Sequence, residues 1–286
     1  MGRFHVFFAV MAMAGLGGPA LARADDGISA QIAEARLVSE VETIRPGEPF
    51  WVALRLTMTD GWHTYWRNPG DSGLATAIAW DLPGGYSAGP IHWPTPVVFR
   101  VGPITSYGYK GEVWLLTEII PAHRPDGKTS AVLRADAQWL ACEEICVPER
   151  ANLELALPIS AGDDPAYDAA RSADFARARE ALPKPGVGRA IFAAEDSKYR
   201  FAFTVPGLTS QPLPEAWLFP AEYGVIDHGA SQGVDVDGSN LVLTAVRDSG
   251  GDAPPDAIAG VLVVRQGGGQ RAFAVRAVPK TEGSRQ

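Results

Sequence analysis

Apolar and polar positions alternate with a period of two through six segments of the first half of the chain, at 35–44, 50–59, 77–82, 113–120, 131–140 and 153–159. Such a period sends successive side chains to opposite faces of an extended chain, and these runs are rich in β-branched and aromatic residues, so they read as strands. Turn-forming clusters lie between them, among them Arg45-Pro46-Gly47-Glu48, Asn68-Pro69-Gly70-Asp71, Leu82-Pro83-Gly84-Gly85 and Pro125-Asp126-Gly127-Lys128. Their spacing is that of an antiparallel sandwich.

The pattern breaks once. Asp164 suits a helix N-cap and Pro165 the first turn, and 167–182 is rich in Ala, Arg and Glu before Pro183 and Pro185. This predicts a connecting helix. Strand signals resume at 190–194, 199–205, 216–219, 241–246, 260–265 and 271–278. The chain therefore reads as all-β: an antiparallel β-sandwich domain over 25–162, a helix and linker over 163–186, a second, smaller β-sandwich domain over 187–279, also antiparallel, and a disordered tail over 280–286.

The first 24 residues change the setting. Arg3 precedes an apolar run at 4–16, and small residues follow as far as Ala22-Arg23-Ala24. This is the pattern of a secretory signal peptide with its cleavage site, and Gly15, Gly17, Gly18 and Pro19 make it a poor bilayer span. Cleavage after Ala24 is expected to leave 262 residues with 23 basic and 33 acidic side chains. That balance argues against nucleic acid and anionic lipid as partners. The later apolar runs, such as 113–120 and 259–264, are too short to span a membrane, so no stable membrane insertion is expected.

The chain has two cysteines, Cys142 and Cys146. In an oxidising compartment one disulfide is the first reading. Residues four apart on a straight strand are separated by roughly 13 Å, whereas a bridge needs Cα atoms within about 7 Å. The chain must therefore turn at 143–145, by a helical turn or a tight hairpin. A loop this short constrains the unfolded chain very little, which argues against a structural staple. Closely spaced thiols do allow one sulfur to attack an incoming disulfide and the other to resolve the mixed intermediate. Glu143 and Glu144 between the sulfurs disfavour a second negative charge, so the free thiols are expected to titrate at or above the ordinary value of about 8.5. Thiol titration well below about 7 would contradict this.

Around these residues the sequence resembles the periplasmic N-terminal domain of the thiol:disulfide interchange protein DsbD and its relative ScsB. The likeness rests on Gly61-Trp62-His63-Thr64-Tyr65-Trp66-Arg67-Asn68-Pro69-Gly70-Asp71-Ser72-Gly73, Tyr107-Gly108-Tyr109-Lys110-Gly111-Glu112, the run from Ala141 to Pro148, and Trp217-Leu218-Phe219-Pro220. The resemblance implies an immunoglobulin-like domain that takes electrons from a membrane-embedded thiol donor and passes them to periplasmic thiol-disulfide proteins. It implies that Cys146 attacks the substrate disulfide, that Cys142 resolves it, and that a loop at 107–109, with Tyr107 and Tyr109, caps the pair. The three residues between the cysteines are fewer than in the best-known members, so the hairpin is expected to differ locally. The chain as read carries neither transmembrane nor thioredoxin-like segments, so the donor is expected to be a separate protein.

Further readings compete. Trp62, His63, Tyr65 and Trp66 form a candidate docking loop, although aromatics there also suit packing. His63 is a candidate proton donor or metal ligand, or only a structural hydrogen-bonding group. Copper binding through the thiolates with Met58, His63 or His92 is the alternative function, but no His-x-His, C-x-x-C or Met-rich cluster supports it. A non-catalytic β-sandwich interaction module with a structural disulfide is a third reading of the function. The exchange chemistry requires no organic cofactor and no obligatory metal.

Overall fold

The computed structural model describes residues 32–123, 127–160, 169–250 and 253–281. The expected signal peptide, the expected N-cap Asp164 and the last five residues lie outside them. In chain order the first half forms strands β1 (Ala33–Ser39), β2 (Phe50–Met58), β3 (His63–Gly70), β4 (Ala77–Asp81), β5 (Ser87–His92), β6 (Val97–Val101), β7 (Ile104–Lys110), β8 (Glu112–Ile120), β9 (Ser130–Cys142) and β10 (Cys146–Pro158). Helix α1 (Ala169–Glu180) follows. The second half holds β11 (Ala190–Glu195), β12 (Lys198–Thr204), β13 (Glu215–Pro220), β14 (Gly233–Asp237), β15 (Asn240–Val246), β16 (Ile258–Gln266) and β17 (Gly269–Pro279).

Two sheets make the first half. One has four strands in the order β1-β2-β8-β5; the other runs β10-β9-β3-β7-β6, with β4 also paired to β9. Alternation in β9 sends Ala131, Leu133, Ala135, Ala137, Trp139 and Ala141 inward, and all six are buried. Ala137, Trp139 and Ala141 share a cluster with Leu54, Leu56, Val113 and Leu115 of the four-stranded sheet, and Ala131 and Leu133 share another with its Phe50, Val52 and Ile119. On that sheet's other face α1 lays Phe175 and Ala178 against Ala53 and Leu116, with the Phe175 ring edge-on to Trp114. Arg179 and Arg171 of the helix donate to Glu40 and Glu42, and just past its end the Ala181 carbonyl accepts from the Thr95 amide.

The second half is one sheet in the order β13-β16-β17-β11-β12-β15-β14, which curls nearly closed around a single core of Phe192, Phe201, Phe203, Leu243, Leu262 and their neighbours. Two expectations are corrected here. The second half does not divide into two stacked sheets, and its strands are not all antiparallel, because β11 runs parallel to β17. Periodicity marks a strand without naming its neighbour, and curling the sheet brings its early and late strands side by side. At the chain end, the Lys280 amide still donates to the Phe192 carbonyl.

Alternation missed β3, β5, β6, β7 and β14; of these, β3 and β7 lie in the middle of the six-stranded sheet and are covered on both faces. A strand buried on both faces has no polar side to alternate with. Their inner face, carrying Trp66, Tyr107 and Tyr109, packs on Phe219, Ala221, Val261 and Val263 of the second half as well as on the four-stranded sheet. Asn68 reinforces that seam by donating from Nδ2 to the carbonyls of Pro220 and Glu222. Asp71 accepts from the Thr105 amide and lies 3.0 Å from Nδ1 of the buried His228.

Candidate active site at the cysteine hairpin

The chain folds back at 143–145, so that Cys142 at the end of β9 and Cys146 at the start of β10 are direct cross-strand partners. Their Cα atoms are 4.1 Å apart and their sulfurs are bonded. The turn is closed by the Glu143 amide, which donates to the Ile145 carbonyl, and Glu143 lies over Gly61. A Cβ at Gly61 would come within 2.4 Å of the Glu143 carboxylate, and the backbone there has φ +90°. The exposed carboxylate can swing aside, so it is the backbone angle that calls for glycine.

The two sulfurs differ in access. Cys142 is 2% exposed, whereas Cys146 stands exposed at the hairpin tip beside Ile145, which is 68% exposed.

Register decides which side chains accompany them. His63 of β3 pairs with Cys142, and β3 pairs with β7 through His63 with Lys110 and Tyr65 with Gly108. Cross-strand partners share a face, so His63, Tyr65, Cys142, Cys146 and Lys110 all stand on the outer face of the six-stranded sheet. There the His63 ring stacks on Phe99 of β6 at 4.5 Å and meets Tyr65 edge-on at 5.3 Å, while the Lys110 ammonium sits over the other aromatic of that pair, Phe99. The Tyr65 hydroxyl lies 3.6 Å from Cys146 Sγ. A disulfide sulfur has no proton, so the hydroxyl is the donor. Burial pushes the Tyr65 hydroxyl above its ordinary range, which keeps that proton in place.

The cap reading is corrected by the same alternation. Tyr107 and Tyr109 belong to strand β7 and not to a loop, and they point to the inner face, away from the sulfurs. Tyr109 donates to the Pro94 carbonyl, and Tyr107 meets Phe219 and His228. The ring that touches a sulfur is that of Tyr65. The docking-loop reading is corrected too. Trp62 and Trp66 belong with the inner core, Trp66 being 2% exposed, while His63 and Tyr65 take the outer face at 8% and 3% exposure. Glu143 and Glu144 are exposed in the hairpin turn, as their position between the sulfurs requires. Of the side chains the copper alternative adds to the thiolates, Met58 lies in the core and His92 sits on β5 against Trp51, which leaves His63 beside the cysteines. Among the described residues no cluster of three His, Cys, Asp or Glu side chains is placed to hold a metal.

Phe99, Lys110 and Gly73 are participants that sequence reasoning did not single out. Gly73 has φ +114°, and a Cβ there would fall 2.3 Å from the Tyr65 ring. The Gly-Asp-Ser-Gly run at 70–73 was the available signal.

Burial, and then the nearby Lys110 charge, lower the His63 pKa from its ordinary 6.5. The unfolded chain therefore binds more protons than the native state between the folded pKa and 6.5. Stability contributed by neutral His63 is present above 6.5, is lost as pH falls through that value, and stops falling below the folded pKa. Chemical denaturation at about pH 7.5 and about pH 5 is expected to show a smaller drop on acidification for His63→Gln than for the parent protein. An equal drop in both would remove His63 as a source of the effect.

Residues 31–158 match the family described as thiol:disulfide interchange protein DsbD, N-terminal. Among solved structures, the N-terminal periplasmic domain of ScsB from Proteus mirabilis is similar over 87% of this chain and 94% of that one, with 20% identity and a TM-score of 0.61. At that identity the likeness is one of fold. A protein of unknown function from Porphyromonas gingivalis W83 aligns over 86% of this chain and 99% of its own at 12% identity, but its TM-score of 0.27 carries no argument. No curated protein sequence matches the chain. Among the described residues no helix is long and apolar enough to cross a membrane. The segment 31–158, which contains the hairpin, both cysteines and the aromatic strand beside them, is the part of the chain that matches the family of DsbD N-terminal domains.

Proposed function

We infer that the protein is a periplasmic thiol-disulfide exchange protein of the reductase type, with Cys142 and Cys146 as its redox pair. It would accept electrons from a membrane-embedded thiol donor and pass them to periplasmic thiol-disulfide proteins, using no organic cofactor. One observation carries this reading: a bond between cross-strand cysteines has one sulfur exposed at a hairpin tip and the other buried beneath it. An attacking thiolate needs access, and Cys146 has it; a resolving thiol needs only to reach the first sulfur, and Cys142 is bonded to it. The three-residue loop adds little to stability when closed, so opening it costs the fold little.

The paired sheets of the first half support an immunoglobulin-like sandwich over 25–162, and the curled sheet supports a second β domain over 187–279, joined by the helix and linker of 163–186. The family match and the likeness to a periplasmic ScsB domain support the compartment. The exposed tip with Glu143, Glu144 and Ile145 suits brief encounters with partners rather than a permanent interface.

Trapping tests the assignment. Cys142→Ala, expressed in the periplasm, retains the accessible sulfur and is expected to accumulate mixed disulfides with thioredoxin-like proteins. Cys146→Ala is expected to accumulate few or none. The reverse pattern would exchange the two roles, and the absence of mixed disulfides from both variants would leave the pair a structural bridge.

A further inference from the structure

The geometry points to His63 as the proton acceptor for Cys142 when the pair resolves a mixed disulfide, a role that rests on the exchange reading above. His63 and Cys142 are direct cross-strand partners of β3 and β9. Opposed Cβ atoms in such a pair stand about 4.5–5.5 Å apart on one face, within reach of an imidazole once the bond opens and the sulfur turns. Cys142 is 2% exposed, so bulk water is poorly placed to receive its proton. With two carboxylates in the adjoining turn the thiol is not expected to be ionised beforehand.

The other groups facing the imidazole do not compete well for that proton. Lys110 comes from β7 as a cation, Phe99 from β6 as a stacked ring, and Tyr65 from the same strand with its hydroxyl kept protonated by burial. Cys146 lies beyond Cys142 on β10 and is engaged with the partner at this stage. Glu143, the carboxylate in the turn, lies over Gly61 and is exposed. Burial and Lys110 both favour the neutral imidazole, the form that accepts a proton.

The step balances as follows. The Cys146 thiolate has attacked the partner's disulfide, expelling one partner thiolate and leaving a Cys146–partner bond. His63 takes the proton from Cys142; the resulting thiolate attacks Cys146 Sγ, and the Cys142–Cys146 bond forms. The Cys146–partner bond breaks with its electron pair on the partner sulfur. Both cysteines are then oxidised, both partner sulfurs reduced, and the imidazolium returns its proton to the departing thiolate or to water.

The test is a stopped-flow reaction of the fully reduced protein with limiting dithiobis(nitrobenzoate), an aryl disulfide whose two coloured thiolates leave in sequence. The first release reports attack by Cys146 and the second reports resolution by Cys142. The readout is the second-phase rate constant against pH, a unimolecular quantity, with the first-phase rate as the control for damage to the fold. In the parent protein the second-phase rate is expected to rise through an ionisation at or below about 6.5 and then level off. In His63→Gln and His63→Phe it is expected to be about 100-fold lower near neutral pH and to recover only through thiol ionisation near about 8.5, with the first phase unchanged. The proposal is overturned if both variants keep the parent profile, or if the shift appears instead in Glu143→Gln. A parent protein that releases one thiolate and never the second would overturn the exchange reading itself.

Discussion

Replacing Phe219 with alanine is expected to lower stability by about 3–5 kcal/mol, the range for removing a large aromatic from a well-packed core. Phe219 is 3% exposed, and its ring takes edge contacts from Trp66 at 6.2 Å and Tyr107 at 5.0 Å. It belongs to β13, yet these neighbours stand on β3 and β7. The cavity would therefore open at the seam between the two halves, beside the two hydrogen bonds from Asn68. The loss should be felt by both halves together. Urea denaturation followed by tryptophan fluorescence and by far-ultraviolet circular dichroism is expected to give coincident transitions for parent and variant, displaced by the same amount. Two separate transitions, with only one displaced in the variant, would show that the seam does not couple the halves.

The second large effect is expected at Gly73. Alanine there meets two costs: the backbone has φ +114°, and the new methyl would fall within 2.5 Å of three Tyr65 ring atoms. The ring cannot easily yield, because Tyr65 is 3% exposed and wedged beside His63. Gly73→Ala is expected to cost about 2–4 kcal/mol and to move the hydroxyl away from Cys146, so that dithiothreitol opens the disulfide faster. In a Tyr65→Ala background the clash is gone, and the added cost of Gly73→Ala should shrink to the backbone part, about 1–2 kcal/mol. An equal cost in both backgrounds would mean that the Tyr65 ring is not what Gly73 accommodates.

Both effects lie where the sequence was hard to read. Strands with one wet face, such as β9 and β12, announced themselves by alternation. Strands β3 and β7 did not, because both of their faces are covered, and they carry the residues that surround the disulfide. With β3 taken for a loop, its aromatics merged into one docking patch. As a strand, it sends Trp62 and Trp66 to the core and His63 and Tyr65 to the sulfurs. The resemblance agrees with the family match, but it carried the cap to Tyr107 and Tyr109, whose parity on β7 places them on the opposite face.

Composition, periodicity and the four-residue cysteine spacing by themselves determined a mostly β chain with a local bridge at a turn. These properties depend on neighbours along the chain, and a spacing that short leaves the backbone little choice but to double back. Which sulfur meets solvent, which tyrosine touches it, and which histidine stands opposite its partner were decided only when distant strands took their register. A shift of one residue in any of those pairings would send every side chain to the other face of the sheet.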